Sequence, residues 1–468
     1  MDFPVFHLDF IGNRLLVAIT AITHVVINHP MAVGAVPLVT FLEWRAHRRG
    51  DPALDQLAYR LTFVFFIITT SVGALTGVGI WFTAALVNPE AIGSLLRVFF
   101  WAWFLEWFVF VIEVALILFY FLTWKTWRNE RKMAHIRTGL FLSIFSWFTM
   151  AIITGILGFM MNSGDWVPFI REWSPRSGML TAFFNPLYAP QLVFRTPLAL
   201  LCAGLFFLFL VPFFTAKGSG LRAWSARTLG IWILLWLPPT AAGALWYWRR
   251  IPEFMAAHAP VALATQNYTS WYGTILQVLL AAVLVIALIA SLAALLPQRL
   301  PRAATVFAFV LSVALLGTFE RVREFIRKPF VIEDYLYANG FRLDHYPLYA
   351  EKGVLPYATF VSSRNVEAAG QVEAGRDIFL LTCSRCHTVN GINSVNAKFS
   401  DLFPGGPWQQ EQISAYIGNM HNIRPFMPPF PGTPAERDAL AAFILSEQEG
   451  QRRYEGAQSA GVKSVSER

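Results

Sequence analysis

From residue 13 to about residue 324 the chain is built of long apolar stretches broken by short polar segments. Beyond that point it changes to short apolar stripes set among charges. A helix needs about 20 predominantly apolar residues to cross the hydrocarbon core of a bilayer. Eight stretches reach that length: 13–42, 58–87, 95–124, 135–161, 188–214, 227–248, 271–296 and 302–324. Each predicts a membrane-spanning helix, and residues 1–324 read as one transmembrane bundle. Residues 325–365 read as a connector, in which Arg327-Lys328-Pro329 closes the eighth span and Asn339-Gly340 marks a turn. A soluble helical domain is expected over 366–450, and the small polar residues 451–468 read as a disordered tail. The apolar stretch from Ile11 is too long for a cleavable signal and runs into Glu43-Trp44-Arg45 rather than a small-residue cleavage site.

Composition supports this division. The chain is 56% hydrophobic and only 14% charged, more apolar surface than a soluble domain can hide. The net charge of +8 does not point to nucleic acid, because much of the excess lies in alternate loops. Arg45, Arg48, Arg49 and Arg60 follow the first span. Lys125, Arg128, Arg131 and Lys132 follow the third, Lys217, Arg222 and Arg227 the fifth, and Arg299 and Arg302 the seventh. The positive-inside rule places these loops in the cytoplasm. Eight spans then leave both termini outside, in the expected setting of a bacterial cytoplasmic membrane with the soluble domain periplasmic.

The strongest chemical signal is Cys383-Ser384-Arg385-Cys386-His387, which uses two of the three cysteines. Two thiols three residues apart can form thioethers to the vinyl groups of one haem, and the adjacent His387 can reach the iron. About 40 residues later Met427 stands in the Pro-rich loop Arg424-Pro425-Phe426-Met427-Pro428-Pro429-Phe430, where it can supply the sixth ligand, with His421 as the rival. A helix start follows at Thr433-Pro434-Ala435-Glu436. Residues Val366–Gln448 resemble a class I cytochrome c domain, including Gly375-Arg376-Asp377-Ile378-Phe379. That resemblance implies one covalent haem c attached outside the cytoplasmic membrane, in agreement with the loop charges.

Ionisable residues inside spans are costly and mark functional positions. The first span carries His24 and His29, about 140° apart on the helix, so they face different partners. The third carries Glu106 and Glu113, seven residues apart and nearly on one face. The fifth carries Arg195, and the eighth Glu320, Arg321, Arg323 and Glu324. Trp101, Trp103 and Trp107 read either as lipid-facing or as a stacking surface for a flat cofactor, and Cys202 as inert packing.

The run from Asn13-Arg14-Leu15-Leu16 through Thr23-His24 to Gly34 resembles the first helix of subunit I of cytochrome bd-type quinol oxidases. Thr76-Gly77, Leu105-Glu106, Ile112-Glu113, Asn185-Pro186 and Arg327-Lys328-Pro329 extend the resemblance over roughly residues 10–330. It implies His24 as a ligand of a high-spin haem b, and Glu113 and Glu106 as groups serving the haem pair and its protons. It further implies Glu320 as an axial ligand, with Glu324 as its rival, and Arg327 within the cofactor-binding set. Where that family has the ligands of its low-spin haem, this chain has Arg195 and about Gln277, so that haem is expected to be missing. The loop Arg249–Ser270 offers no counterpart to the family's quinol loop, and His29 is an expected extra haem ligand. The expected cofactors are one haem c, one or two haems b, and haem d as a further option; the expected partners are lipid, a second multi-helix subunit and a periplasmic cytochrome or other redox donor.

The reading is therefore an all-α membrane protein whose eight-helix bundle, of bd-oxidase subunit I type, carries a C-terminal periplasmic cytochrome c domain. Its expected activity is that of an oxidoreductase, a terminal oxidase subunit taking electrons at haem c and reducing O2 to water. The alternative is a non-catalytic electron conduit linking a quinone pool or partner subunits to haem c. A third reading, a haem-free bundle anchoring the cytochrome, does not account for so many ionisable groups at one depth.

Overall fold

A computed structural model describes residues 3–167, 175–404 and 408–466, the side chains of 175–177, 368 and 451–466 excepted. Among the described residues, eight helices are long and apolar enough to cross a membrane: α1 (Asn13–Arg49), α2 (Pro52–Val87), α3 (Pro89–Thr123), α4 (Lys132–Met161), α5 (Tyr188–Phe214), α6 (Gly220–Arg250), α7 (Gln266–Leu295) and α8 (Arg302–Ile326). Several outrun their apolar stretches because polar residues cap them. Gly50 takes the left-handed conformation at φ 59° to end α1. Asp51 then accepts hydrogen bonds from the amides of Ala53 and Leu54, each at 3.0 Å, with Pro52 at the first helical position.

Two of these helices contain a π turn. In α1 it spans Asn28–Val33 and contains Pro30, which has no amide hydrogen and cannot sit in a regular ladder. In α2 it spans Thr69–Gly73. Such turns widen the ladder and release carbonyls for other partners.

The chain folds as two compact units that interleave along the sequence. One comprises Thr20–Gly79 and Leu95–Arg327, the body of the bundle. Its centre is α5, which is buried along most of its length and meets its neighbours backbone to backbone. A Cβ on Gly34 of α1 would stand 2.0 Å from the Ala199 carbonyl oxygen, and one on Gly243 of α6 would stand 2.7 Å from Phe194 Cα. Cys202 is buried in this packing. By contrast α2 and α3 expose Phe63, Leu75, Val78, Phe100, Trp101 and Phe104. In a chain of this hydropathy these outward residues face lipid or other apolar neighbours, since water would oppose them by about 25 cal/mol per Å².

The other unit comprises Met1–Ile19, Ile80–Ser94 and Lys328–Arg468. It thus takes in the N-terminal segment and the α2–α3 turn together with the connector and the C-terminal domain, a grouping that a boundary at 324/325 does not anticipate. The connector forms a short antiparallel pair, β1 (Phe330–Ile332) and β2 (Leu336–Tyr337), with Phe330 opposite Tyr337. Asn339-Gly340 turns as expected, with Gly340 at φ 83°. The domain itself contains α9 (Gln371–Thr382), α10 (Val395–Leu402), α11 (Gln410–Ile423) and α12 (Pro434–Ser466). Helices α9 and α12 cross around Ile378, Phe379, Leu440 and Phe443. Gly375 permits the crossing: a Cβ there would stand 2.0 Å from the Ala439 carbonyl oxygen. The start of α12 is a capping box. The Glu436 amide donates to Thr433 Oγ1 at 3.2 Å, and the Glu436 carboxylate accepts from the Thr433 amide at 3.1 Å. It also accepts from the amides of Val354 at 2.8 Å and Leu355 at 2.9 Å, which fastens the connector to the domain.

Helix α12 runs on past residue 451 to Ser466; residues 467–468 lie outside those described.

Candidate redox site

The haem-attachment motif is the last turn of α9 carried one step further. The Cys383 and Ser384 amides bond to the Phe379 carbonyl at 2.9 and 3.0 Å, and those of Cys386 and His387 to the Cys383 carbonyl at 3.0 Å. This tight turn keeps both thiols and the imidazole in one compact group. His387 Nδ1 donates to the Asn393 carbonyl at 3.1 Å, which leaves Nε2 as the lone-pair donor. Asn393 holds its own place at φ 62° by donating to the Cys386 carbonyl at 2.7 Å. Burial pushes the His387 imidazole down to about 4, so it is neutral near pH 7, the form that binds iron. Burial likewise pushes the Cys383 thiol up to about 11. The donor set fits haem c.

In the methionine loop, the Met427 amide donates to the Arg424 carbonyl at 2.8 Å. His421 Nδ1 donates to the Met427 carbonyl at 2.5 Å, and Tyr346 Oη donates to the Pro429 carbonyl at 3.1 Å. His421 therefore supports the methionine loop through its Nδ1 hydrogen. Desolvation raises the Tyr346 phenol above its ordinary range and keeps it a donor.

In the bundle, His24 has the same arrangement as His387. Its Nδ1 donates to the Gly73 carbonyl at 3.2 Å, a carbonyl that lies in the π turn of α2. Gly77 makes room for the ring, since a Cβ there would stand 3.1 Å from His24 Cε1. No hydrogen bond engages His24 Nε2 among the described residues, and an imidazole fixed in this way is the usual form of a metal-ligating histidine.

His29 and Glu320, both expected to ligate iron, are otherwise engaged. Arg195 Nη1 donates to His29 Nε2 at 2.9 Å and Arg195 Nη2 to Glu320 Oε1 at 2.7 Å. Arg323 Nε donates to Glu320 Oε2 at 2.8 Å. Arg195 thus bridges the His29 and Glu320 side chains. The reason is charge: a buried carboxylate is tolerable only when paired, and Arg195 brings a fork of donors to it. Glu324, the rival, accepts from Arg327 Nη2, whose Nη1 lies 3.5 Å from Met160 Sδ.

On α3, Glu113 accepts from Ser146 Oγ at 2.7 Å and from Thr149 Oγ1 at 3.0 Å, both on α4. Glu106, two turns away, is half-buried and has no hydrogen-bond partner among the described residues. Trp101 and Trp107 are largely exposed, in keeping with the lipid-facing alternative.

One buried cluster escapes the sequence reading. Lys132 Nζ lies 2.6 Å from Glu43 Oε1 and 2.5 Å from Asp55 Oδ1. His135 Nδ1 and Tyr120 Oη donate to the two Glu43 oxygens at 2.6 and 2.7 Å, and Arg128 Nε donates to Asp55 at 2.8 Å. This network joins α1, α2, α3 and α4. Its only sequence signal is Glu43 and His135 at the ends of apolar stretches; Lys132 and Arg128 read simply as loop charges.

Comparison with known proteins agrees with this geometry. Residues 370–444 match the family described as cytochrome c oxidase, cbb3-type, subunit III. No curated protein matches the chain. Among solved structures the chain is similar to one in "The structure of bd oxidase from Geobacillus thermodenitrificans". The TM-score is 0.56 at 15% identity, over 69% of this chain and 88% of that one. At that identity the likeness is one of fold. The fold and the attachment site together define a multi-pass membrane redox protein. Within that class the bundle has the fold of that bd oxidase chain, and the cytochrome c family matched over residues 370–444 implies haem c.

Proposed function

We propose that the chain is the redox subunit of a bd-oxidase-like membrane complex that accepts electrons through its cytochrome c domain and reduces O2 to water. The observation that carries this reading is His24, an imidazole oriented by the Gly73 carbonyl with no hydrogen bond to Nε2 among the described residues. Bound haem would supply the one-electron chemistry at both centres and the O2-binding iron in the bundle. Cys383, Cys386, His387 and Met427 would hold haem c, and His24 would hold a haem b or d. Glu113, steadied by Ser146 and Thr149, and Glu106 would carry protons toward the bundle site. In this reading the protein lies in a bacterial cytoplasmic membrane with both termini and the cytochrome c domain outside. It meets a periplasmic donor and pairs with a second multi-helix subunit.

The test is a reduced-minus-oxidised spectrum of the purified protein with pyridine haemochrome quantitation, then carbon monoxide added after reduction. The expected result is haem c together with a second haem type and a carbon monoxide shift that His24→Ala removes while haem c stays. Haem c alone, or a second haem with no carbon monoxide response, would overturn the oxidase reading.

A further inference from the structure

Arg385 stands between the two cysteines of the attachment motif, where a side chain on a soluble cytochrome would turn to water. Here it does not. Its Nε donates to the Val87 carbonyl at 3.1 Å and its Nη2 to Glu90 Oε2 at 3.0 Å, the two side chains being 15% and 29% exposed. Gly340 closes the other side: a Cβ there would stand 2.2 Å from Arg385 Nη1. All of these residues belong to one compact unit. The same loop is gripped a second time, further along, by the N-terminal segment. The Val389 amide donates to Asp9 Oδ1 at 2.6 Å and the Ile392 amide to the Phe10 carbonyl at 3.2 Å.

A tether could have been built from neutral groups at lower cost, because withdrawing a cation from water costs several kcal/mol before pairing offsets it. A cation at this place has a further effect. Reduction lowers the net charge at the iron by one, and a nearby positive charge, poorly screened in a buried setting, favours the reduced form. We propose that Arg385 is a positioning residue that both fastens the haem c loop to the α2–α3 turn and raises the haem c potential, with Glu90 partly offsetting it. This rests on haem c being carried at Cys383 and Cys386. Absence of the haem c band would count against that reading, whereas a wrong-signed shift would count against this one alone.

The experiment is an equilibrium redox titration of the haem c α-band in the full-length, detergent-solubilised protein. Arg385→Gln is expected to lower the potential, by roughly a tenfold change in the redox equilibrium, or about 59 mV for one electron. Glu90→Gln is expected to raise it, and Arg385→Lys, which keeps the charge, to stay near the parent. A merely structural clamp would behave differently, since loosening the loop admits water and moves both neutralising variants the same way. Shifts of one sign in Arg385→Gln and Glu90→Gln, no shift in either, or a fall in Arg385→Lys equal to that in Arg385→Gln would each overturn the proposal. Should Arg385→Gln fail to take up haem, Glu90→Gln decides: a potential that does not rise sinks it.

Discussion

At the scale of single residues, Arg195 decides the chemistry of the bundle's centre. It is 2% exposed and bonds both His29 and Glu320, the two groups that sequence reasoning assigned to iron. Removing one partner of a buried pair strands the other charge, so Arg195→Met is expected to destabilise the protein by about 3–5 kcal/mol. Adding Glu320→Gln to that variant is expected to recover part of the loss; thermal unfolding in detergent measures both. Were Glu320 an iron ligand instead, Glu320→Gln alone would change the haem spectrum, and the expected outcome is that it does not. That His24 lies inside a span was legible in the sequence. The engagement of His29 and Glu320 was not, because their common partner lies 166 and 125 positions away along the chain. Lys132 was misread for a similar reason. It counts as a loop charge until Glu43 and Asp55, from two other helices, enclose it.

At the scale of elements, the close crossings depend on glycines whose role no hydropathy pattern reveals. The eight spans were legible because length and apolarity alone define them, and their caps were partly legible in Asp51-Pro52 and Thr433-Pro434. Which helices touch was not, since it turns on where a Cβ is missing. Gly375→Ala would drive a methyl against the Ala439 carbonyl and push α9 from α12. The expected cost is about 1–3 kcal/mol, typical of overpacking. It should appear as a lower haem c yield per protein by haemochrome assay, with the bundle spectrum unchanged. The capping box gives a milder case. Glu436→Ala removes the acceptor for three connector and helix-start amides, and is expected to cost about 0.5–2 kcal/mol. Protease cutting in the connector, around Val354 and Leu355, should become faster in step.

At the scale of the whole molecule, the two compact units do not divide the chain at one boundary. The attachment motif was legible because its residues are contiguous. The way its unit is assembled was not, because Asp9, Phe10, Val87 and Glu90 come from stretches that read as parts of the bundle. A cytochrome segment excised at 366 is expected to take up haem but to be less stable than in the full protein, since the amides of Val389 and Ile392 and the Arg385 guanidinium lose their partners. Comparing the chemical denaturation midpoints of the haem c band in the two forms would measure the difference. The N-terminal strap also has a bearing on how the protein is made. Asp9 leaves the ribosome 380 positions before Val389, so every residue between them must be synthesised before that contact can form. Contacts so distant in sequence are slow to close and leave their elements exposed in the meantime. A chain halted between Asp9 and the haem motif would hold that strap without its partner.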